Sequence, residues 1–241
     1  MNTTDQIPTA PPVVLSLSGH DPTGGAGIQA DIEAIAAQGC HATSVITCTT
    51  AQDTHRVHAV MPSDPDSFRA QLRVLHADIP PAAVKIGLIP SLGIAAAIRD
   101  YLHDLTTSAG TAAAPAIVID PVLRSGGGDP LVTDALRRYL TAELLPLATL
   151  CTPNRHEARQ LAGTDDLDAA AARLLEHGCG AVLITGADEA SGNLLSNRLH
   201  RPGDAPRDDF WPRFDGSFHG SGCTLAAACA ARLALGEPLP K

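Results

Sequence analysis

The run HGSGC, residues 219–223, sets two glycines directly before an Ala/Leu-rich stretch, TLAAACAARLALG. Glycine has no Cβ, so the backbone N–H groups of Gly220, Ser221 and Gly222 can converge at a helix start, backed by the positive end of the dipole. That is an anion hole. A plain Gly-Ser helix cap has the same sequence. Cys223 falls in the first helical turn, where the dipole lowers a thiol pKa, and reads either as a thiolate base or as a small buried residue. A second glycine-rich run, GHDPTGGAG at 19–27, follows an apolar segment. Its spacing does not fit GxGxxG, and the Asp-Pro inside it points to a turn, either over a small ligand or with none. Asp31 stands four residues beyond Gly27, on the first turn of a predicted helix, where it is expected to point back at a ligand as a hydrogen-bond acceptor. Gln52 follows another apolar run and offers a donor and an acceptor, the pair that reads a heteroaromatic amine edge. In TPNRHEA, Asn154 and Glu157 lie three apart. They form a capping box or, beside a phosphate-binding helix, make Glu157 an outer-sphere partner for Mg²⁺. Asp120, closing a buried run before Pro121, is the second candidate at the metal and phosphates.

These residues need a scaffold that brings them to one place. Apolar, β-rich runs at 13–19, 44–50, 82–89, 116–120, 147–151 and 181–185 predict strands. Between and after them, helical spacing covers 28–38, 64–78, 91–105, 131–145, 157–161, 167–177 and 223–235. The alternation predicts an α/β fold with a doubly wound, mostly parallel sheet and helices on both faces, since strands apolar along their whole length need cover on each side. Residues 106–115 and 201–209 read as surface connections. In such a sheet ligands bind beyond the carboxyl ends of the strands, where the residues singled out above fall.

Composition narrows the class. The chain has 241 residues, 44% of them hydrophobic, enough for one sizeable core and short for two, so 1–241 is expected to be one domain. Twenty-six acids against 17 bases give a net charge of −9 without a basic cluster, which argues against nucleic-acid binding. No apolar run reaches membrane-spanning length and the N-terminus lacks a signal-peptide pattern, so a cytoplasmic protein with no membrane partner is expected. The six cysteines have neither CxxC nor His-interleaved spacing, and neither disulfides nor zinc are expected. With lysine only at 85 and 241, a Walker P-loop is absent too.

Taken in order, GHDPTGGAGIQAD, SVITCTTAQDT, KIGLI, DPVLRSGGGDPL, LLPLATLCTPNRHEA and HGSGCTLAAA resemble the hydroxymethylpyrimidine/phosphomethylpyrimidine kinases of thiamine biosynthesis. These belong to the ribokinase-like superfamily, whose sugar kinases carry GxGD in the last motif; here Cys223 takes the aspartate's place. The resemblance implies transfer of the ATP γ-phosphoryl group, with Mg²⁺, to 4-amino-5-hydroxymethyl-2-methylpyrimidine and then to its monophosphate, by a homodimer. It places Gly19, Asp31, Gln52, Leu88 and Val122 around the pyrimidine, with Leu88 where many relatives have Met. Gly220, Ser221, Gly222 and Cys223 become the anion hole and catalytic thiol. Asn154, Glu157 and Thr185 fall to ATP and its phosphates, and Asp120 with Glu157 to the metal. Gly126 and Thr185 stand where relatives have lysines, so cationic help to the phosphates is expected elsewhere, as from Arg124. Relatives also continue through one or two helices past GEPLPK, so either C-terminal helices are missing or the adenine pocket is built differently. Pyridoxal kinase and a non-catalytic pyrimidine-binding relative are the alternatives.

Overall fold

The computed structural model describes residues 10–108, 114–125, 128–186, 193–216 and 218–240. Its strands are β1 (Val13–His20), β2 (His41–Gln52), β3 (Val57–Pro62), β4 (Ala83–Ile86), β5 (Ala116–Ile119), β6 (Leu150–Cys151), β7 (Val182–Ile184), β8 (Leu194–His200) and β9 (Arg207–Pro212). They form one sheet in the order β3-β2-β1-β4-β5-β6-β7-β8-β9. The pairs from β2 through β7 are parallel, and β3, β8 and β9 join antiparallel at the edges. The helices are α1 (Gly27–Ala37), α2 (Pro65–Asp78), α3 (Leu92–Ser108), α4 (Asp134–Tyr139), α5 (Arg155–Ala162), α6 (Leu167–Glu176) and α7 (Ser221–Ala234).

Side chains alternate along a strand, so each central strand feeds both faces. Leu15, Leu17, Val84, Ile86, Ile117 and Ile119 point into a core with Phe68, Ile94, Ile98, Leu136, Leu161 and Leu174 from α2 to α6. Val14, Ala83 and Val118 face the opposite way, against Ile35 of α1 and Ala226, Ala227, Ala230 and Ala231 of α7. The small alanines let α7 lie close on the sheet. Continuing the same alternation, Ser16, Ser18, Lys85 and Asp120 also belong to the α1/α7 face, at the carboxyl ends of three neighbouring strands. Burying them there is costly unless they satisfy one another.

The predicted central strands and helices are present, with three departures. Strands β3, β8 and β9 lie outside the apolar runs because they are held by hydrogen-bonding edges and charge pairs rather than burial. Arg198 on β8 donates from Nε to Asp208 on β9 at 2.7 Å. The connection expected over 201–209 therefore ends early: Arg207, Asp208 and Asp209 already pair with Leu199, Arg198 and Asn197. Helix α3 likewise runs on to Ser108, with the Thr106 and Thr107 hydroxyls bonded back to carbonyls of the preceding turn. Residues 109–113 of the expected connection lie outside the described residues. The helix expected over 131–145 is α4 followed by a π turn at Leu140–Leu144 and a short 3₁₀ turn at Leu145–Leu147, where Pro146 interrupts the ladder.

Candidate active site

The carboxyl ends of the parallel strands and the start of α7 enclose a crevice of ≈ 820 Å³. Two glycine-rich loops dovetail at its rim. Gly27 and Gly220 have φ of 59° and 82°, and a Cβ on either would run into the carbonyl of Gly19 or Gly25, respectively. Only glycine lets these backbones approach so closely. Asp21 fastens the two loops. Its carboxylate accepts from the Thr23 N–H at 2.8 Å and the Ala26 N–H at 2.9 Å, and pairs with His219 Nε2 at 2.9 Å. Burial works against charge on Asp21, but the bonds from Thr23, His219 and Gln52 outweigh it and hold its pKa below the ordinary value.

At the ring end, Gly19, Gln52, Leu88 and Val122 all line the crevice, as expected. The Thr47 hydroxyl fixes the Leu88 carbonyl at 2.7 Å, so this backbone group is oriented before any ligand arrives. Asp31 is different, and the expectation that it points at a ligand is corrected. Its side chain is fully buried behind the crevice wall. Ser16 Oγ and Ser18 Oγ donate to Oδ2 at 2.6 and 2.7 Å, while Lys85 Nζ donates to Oδ1 at 2.7 Å and Oδ2 at 2.9 Å. A short helix-facing carboxylate beside a buried lysine is drawn to the ammonium rather than to the solvent-lined space. Burial works against charge on Lys85; the Asp31 carboxylate, with Asp120 behind it, outweighs this and keeps the ammonium charged.

At the phosphate end, Gly220, Ser221, Gly222 and Cys223 line the same crevice. Gly220 caps α7 with no side-chain hydrogen bond to the first turn, so the first N–H groups of the helix have no side-chain cap. A Cβ added to Gly222 would meet nothing within 4 Å, which gives an anion room to sit against the backbone. Asp120 and Gly27 stand close enough to Cys223 to act on the charge of its thiol. Of the two readings of Cys223, thiolate or small buried residue, its surroundings favour a protonated thiol in the ligand-free protein. Burial pushes the thiol pKa up, Asp120 and Asp31 add to this, and Lys85 does not offset it. Asp120 is buried too, and burial raises its pKa; Lys85 and Cys223 counter this only in part. Its Oδ2 has no hydrogen-bond partner, with the Lys85 ammonium 3.8 Å away.

Asn154 and Glu157 do form the capping box. The Asn154 side chain accepts from the Glu157 N–H at 2.8 Å, and Glu157 Oε2 accepts from the Asn154 N–H at 2.9 Å. Glu157 Oε1 also takes the Leu123 N–H at 3.3 Å, which ties the loop after β5 to α5. Both residues nevertheless line the crevice, next to Thr185, which bridges to Asn154 across the sheet. Arg124 opens on the crevice as expected, with Nη1 donating to the Gly128 carbonyl at 3.3 Å. Gly126 lies outside the described residues.

The residues fit nucleoside triphosphate and Mg²⁺ unequally. The open helix start of α7 suits a phosphate. Among the described residues no group of three or more His, Cys, Asp or Glu side chains is placed to hold a metal. The buried orphan oxygen of Asp120 suits a cation that keeps waters and phosphate oxygens as its other ligands, which is the habit of Mg²⁺. Sequence reasoning missed Lys85, Ser16, Ser18, Asp21 and His219 as parts of the site. One of the chain's two lysines inside the apolar strand AVKI, in register with serines on β1, was the available signal.

A model of the phosphomethylpyrimidine kinase family matches residues 21–241. The hydroxymethylpyrimidine/phosphomethylpyrimidine kinase of Streptomyces coelicolor is 38% identical over 97% of this chain and 85% of its own length. That of Synechococcus elongatus is 40% identical over 94% and 85%. Among solved structures, phosphomethylpyrimidine kinase from Clostridium difficile aligns with a TM-score of 0.79 at 31% identity, covering 95% of this chain and 93% of that one. Bacillus subtilis pyridoxal kinase, in complex with ADP, aligns with a TM-score of 0.83 at 30% identity, covering 95% and 86%. The sheet and crevice thus have the ribokinase-like form that the motifs implied, and the chain belongs to the phosphomethylpyrimidine kinase family.

Proposed function

We propose that this kinase transfers the γ-phosphoryl group of ATP to the hydroxymethyl group of 4-amino-5-hydroxymethyl-2-methylpyrimidine, and then to the monophosphate so formed, as a step of thiamine biosynthesis. The observation that carries the reading is the single crevice lined both by an uncapped helix start with Cys223 and by Gly19, Gln52, Leu88 and Val122. Gln52, lining the crevice, reads the amino-pyrimidine edge. Gly220, Ser221 and Gly222 receive the phosphoryl oxygens, and preorganised N–H donors are what phosphoryl transfer needs most. Cys223 takes the hydroxyl proton. Because burial favours the protonated thiol in the free protein, it passes its own proton to the nearby Asp120 carboxylate as it receives the new one. Mg²⁺, when bound with ATP, would neutralise phosphate charge; Asp120 and Glu157 would hold it through its waters, with Asn154 and Thr185 walling the phosphates and Arg124 adding positive charge.

The likeness to pyridoxal kinase favours a second substrate of the same shape, a pyridine carrying a hydroxymethyl group. Following ADP release with the pyrimidine alcohol, its monophosphate and pyridoxal as rival acceptors tests the reading. Turnover of the first two supports it, pyridoxal alone transfers the assignment, and tight pyrimidine binding without turnover reduces the chain to a binding protein. The reading extends to one kinase domain over 1–241, working as a cytoplasmic homodimer on small molecules, with neither nucleic acid nor membrane as partner. The net charge of −9 supports a small-molecule rather than a nucleic-acid partner, and among the described residues no helix is long and apolar enough to cross a membrane; sedimentation tests the dimer.

A further inference from the structure

We propose that Lys85 is a positioning residue of the reaction, its ammonium holding the Asp120 carboxylate at the floor of the crevice. The inference rests on the kinase reading of that crevice. Lys85 is fully buried and has three N–H directions to fill. Asp31 takes both oxygens' worth of contact at 2.7 and 2.9 Å, and Ser18 Oγ accepts at 3.2 Å. On the crevice side of this cluster stands Asp120 Oδ2, 3.8 Å from the ammonium, buried and without a hydrogen-bond partner.

The surroundings leave the ammonium no slack. The next residue on the same face of the chain is Gly87, where a Cβ would collide with Ser18 Oγ and press on Lys85 Nζ at 2.9 Å. Ser16 and Ser18 both brace Asp31, and through it the lysine, from β1. One fixed positive charge therefore stands between two carboxylates. Asp31 neutralises it on the side away from the crevice, and the residual field falls on Asp120, the carboxylate that lines the crevice together with the Cys223 thiol. A lysine needed only to bury Asp31 would require no such alignment with a second, open carboxylate.

A purely structural partner of Asp31 can be replaced together with it; a positioning residue cannot. Purified full-length protein carrying Asp31→Asn with Lys85→Met, or Asp31→Asn with Lys85→Gln where the first pair does not fold, removes both charges at once and leaves Asp120 in place. The expected result is a melting temperature close to wild type, with kcat down on the order of 100-fold and the pyrimidine KM within about twofold, since a small misplacement of a reacting group costs that much. A folded neutral pair with wild-type kcat overturns the proposal, and so does a raised KM with kcat untouched. Absence of turnover in the wild type rejects the kinase reading instead, so the two failures are told apart.

Discussion

Asp31 and Asp120 lie on opposite sides of one buried ammonium and are treated in opposite ways. The first lies in the wall behind the crevice, where two serine hydroxyls and Lys85 saturate both of its oxygens. The second lies on the floor, with one oxygen unbonded and its ionised form disfavoured by burial. A buried carboxylate with every lone pair engaged has nothing left to offer a ligand. One with an open oxygen costs the fold stability, and that cost is tolerated where a ligand or a proton is to be received. The same contrast separates Cys223, which opens on the crevice, from Cys151, sealed in the core with its thiol pushed up by burial and nothing to act on.

The largest effect is expected on the open side. Cys223→Ala removes the proton acceptor and its link to Asp120, so kcat should fall roughly 10²- to 10⁴-fold, with the pyrimidine KM little altered. Cys223→Ser, whose hydroxyl can still pass a proton to Asp120, should lie between the alanine variant and wild type. Wild-type kcat in the alanine variant would remove the thiol from the mechanism and leave Asp120 alone at the floor.

Stability should split the two carboxylates. Asp31→Asn leaves the Lys85 ammonium without its closest counter-charge and should cost about 3 kcal/mol, the scale for breaking a buried pair. Asp120→Asn removes a charge that burial disfavours, so the protein should melt no lower than wild type, gaining up to roughly 1 kcal/mol, while its turnover collapses. The pH dependence follows from the direction of the shift. Asp120 has a folded pKa above the ordinary 3.8, so its ionised form costs stability at neutral pH, and that cost disappears as pH falls through the folded value. The melting advantage of Asp120→Asn should therefore shrink on acidification. Asp21 has the opposite sign: its folded pKa is depressed, so the latch between the glycine loops is stabilising above 3.8 and is lost as pH falls through its lower folded value. Melting curves from neutral to acid pH for wild type and Asp120→Asn check both statements.

Smaller, and confined to binding, is the effect of Gln52→Leu. It deletes the ring reader and leaves one buried partner on the substrate unsatisfied, so affinity for the pyrimidine should weaken by about 1 to 3 kcal/mol in calorimetry. Unchanged affinity would move ring recognition to the backbone around Val122 and Leu88.

Much of this arrangement was legible in the sequence because glycine spacing and strand ends report on backbone geometry. HGSGC and GHDPTGGAG mark places where two chains must touch without side chains, and they do touch. Asp31 was misplaced because its position on a helix says where its Cα lies but not which neighbour its carboxylate prefers. Lys85, 54 residues away, decides that. Cys223 stayed open between two readings for a related reason: the helix dipole is local and readable, whereas burial and two carboxylates from other elements are not. Edge strands β8 and β9 escaped because paired charges such as Arg198 with Asp168 and Asp208 replace the apolar alternation that betrays a strand.

The smallest expected effect tests the residue that belongs to both sides of the contrast. Glu157 is saturated like Asp31, with Oε2 on the Asn154 N–H and Oε1 on the Leu123 N–H, yet it lines the crevice like Asp120. Glu157→Gln keeps the size and one acceptor oxygen but removes the charge and sets an amide where an N–H was being received. As a cap and loop tie alone, Glu157 contributes through two backbone bonds and the dipole, and its loss should lower stability by roughly 0.5 to 1 kcal/mol without touching the metal requirement. As an outer-sphere partner it also adds negative charge near Mg²⁺, so the concentration of Mg²⁺ giving half-maximal turnover should rise several-fold, on the order of the roughly 1 kcal/mol such a screened charge supplies. The pyrimidine KM should not move, because Gln52 and Leu88 stand at the other end of the crevice. Turnover titrated with Mg²⁺ alongside thermal melting separates the outcomes: a lowered melting point with an unshifted titration makes Glu157 a scaffold residue that happens to face the crevice, and leaves Asp120 as the one carboxylate there for the metal.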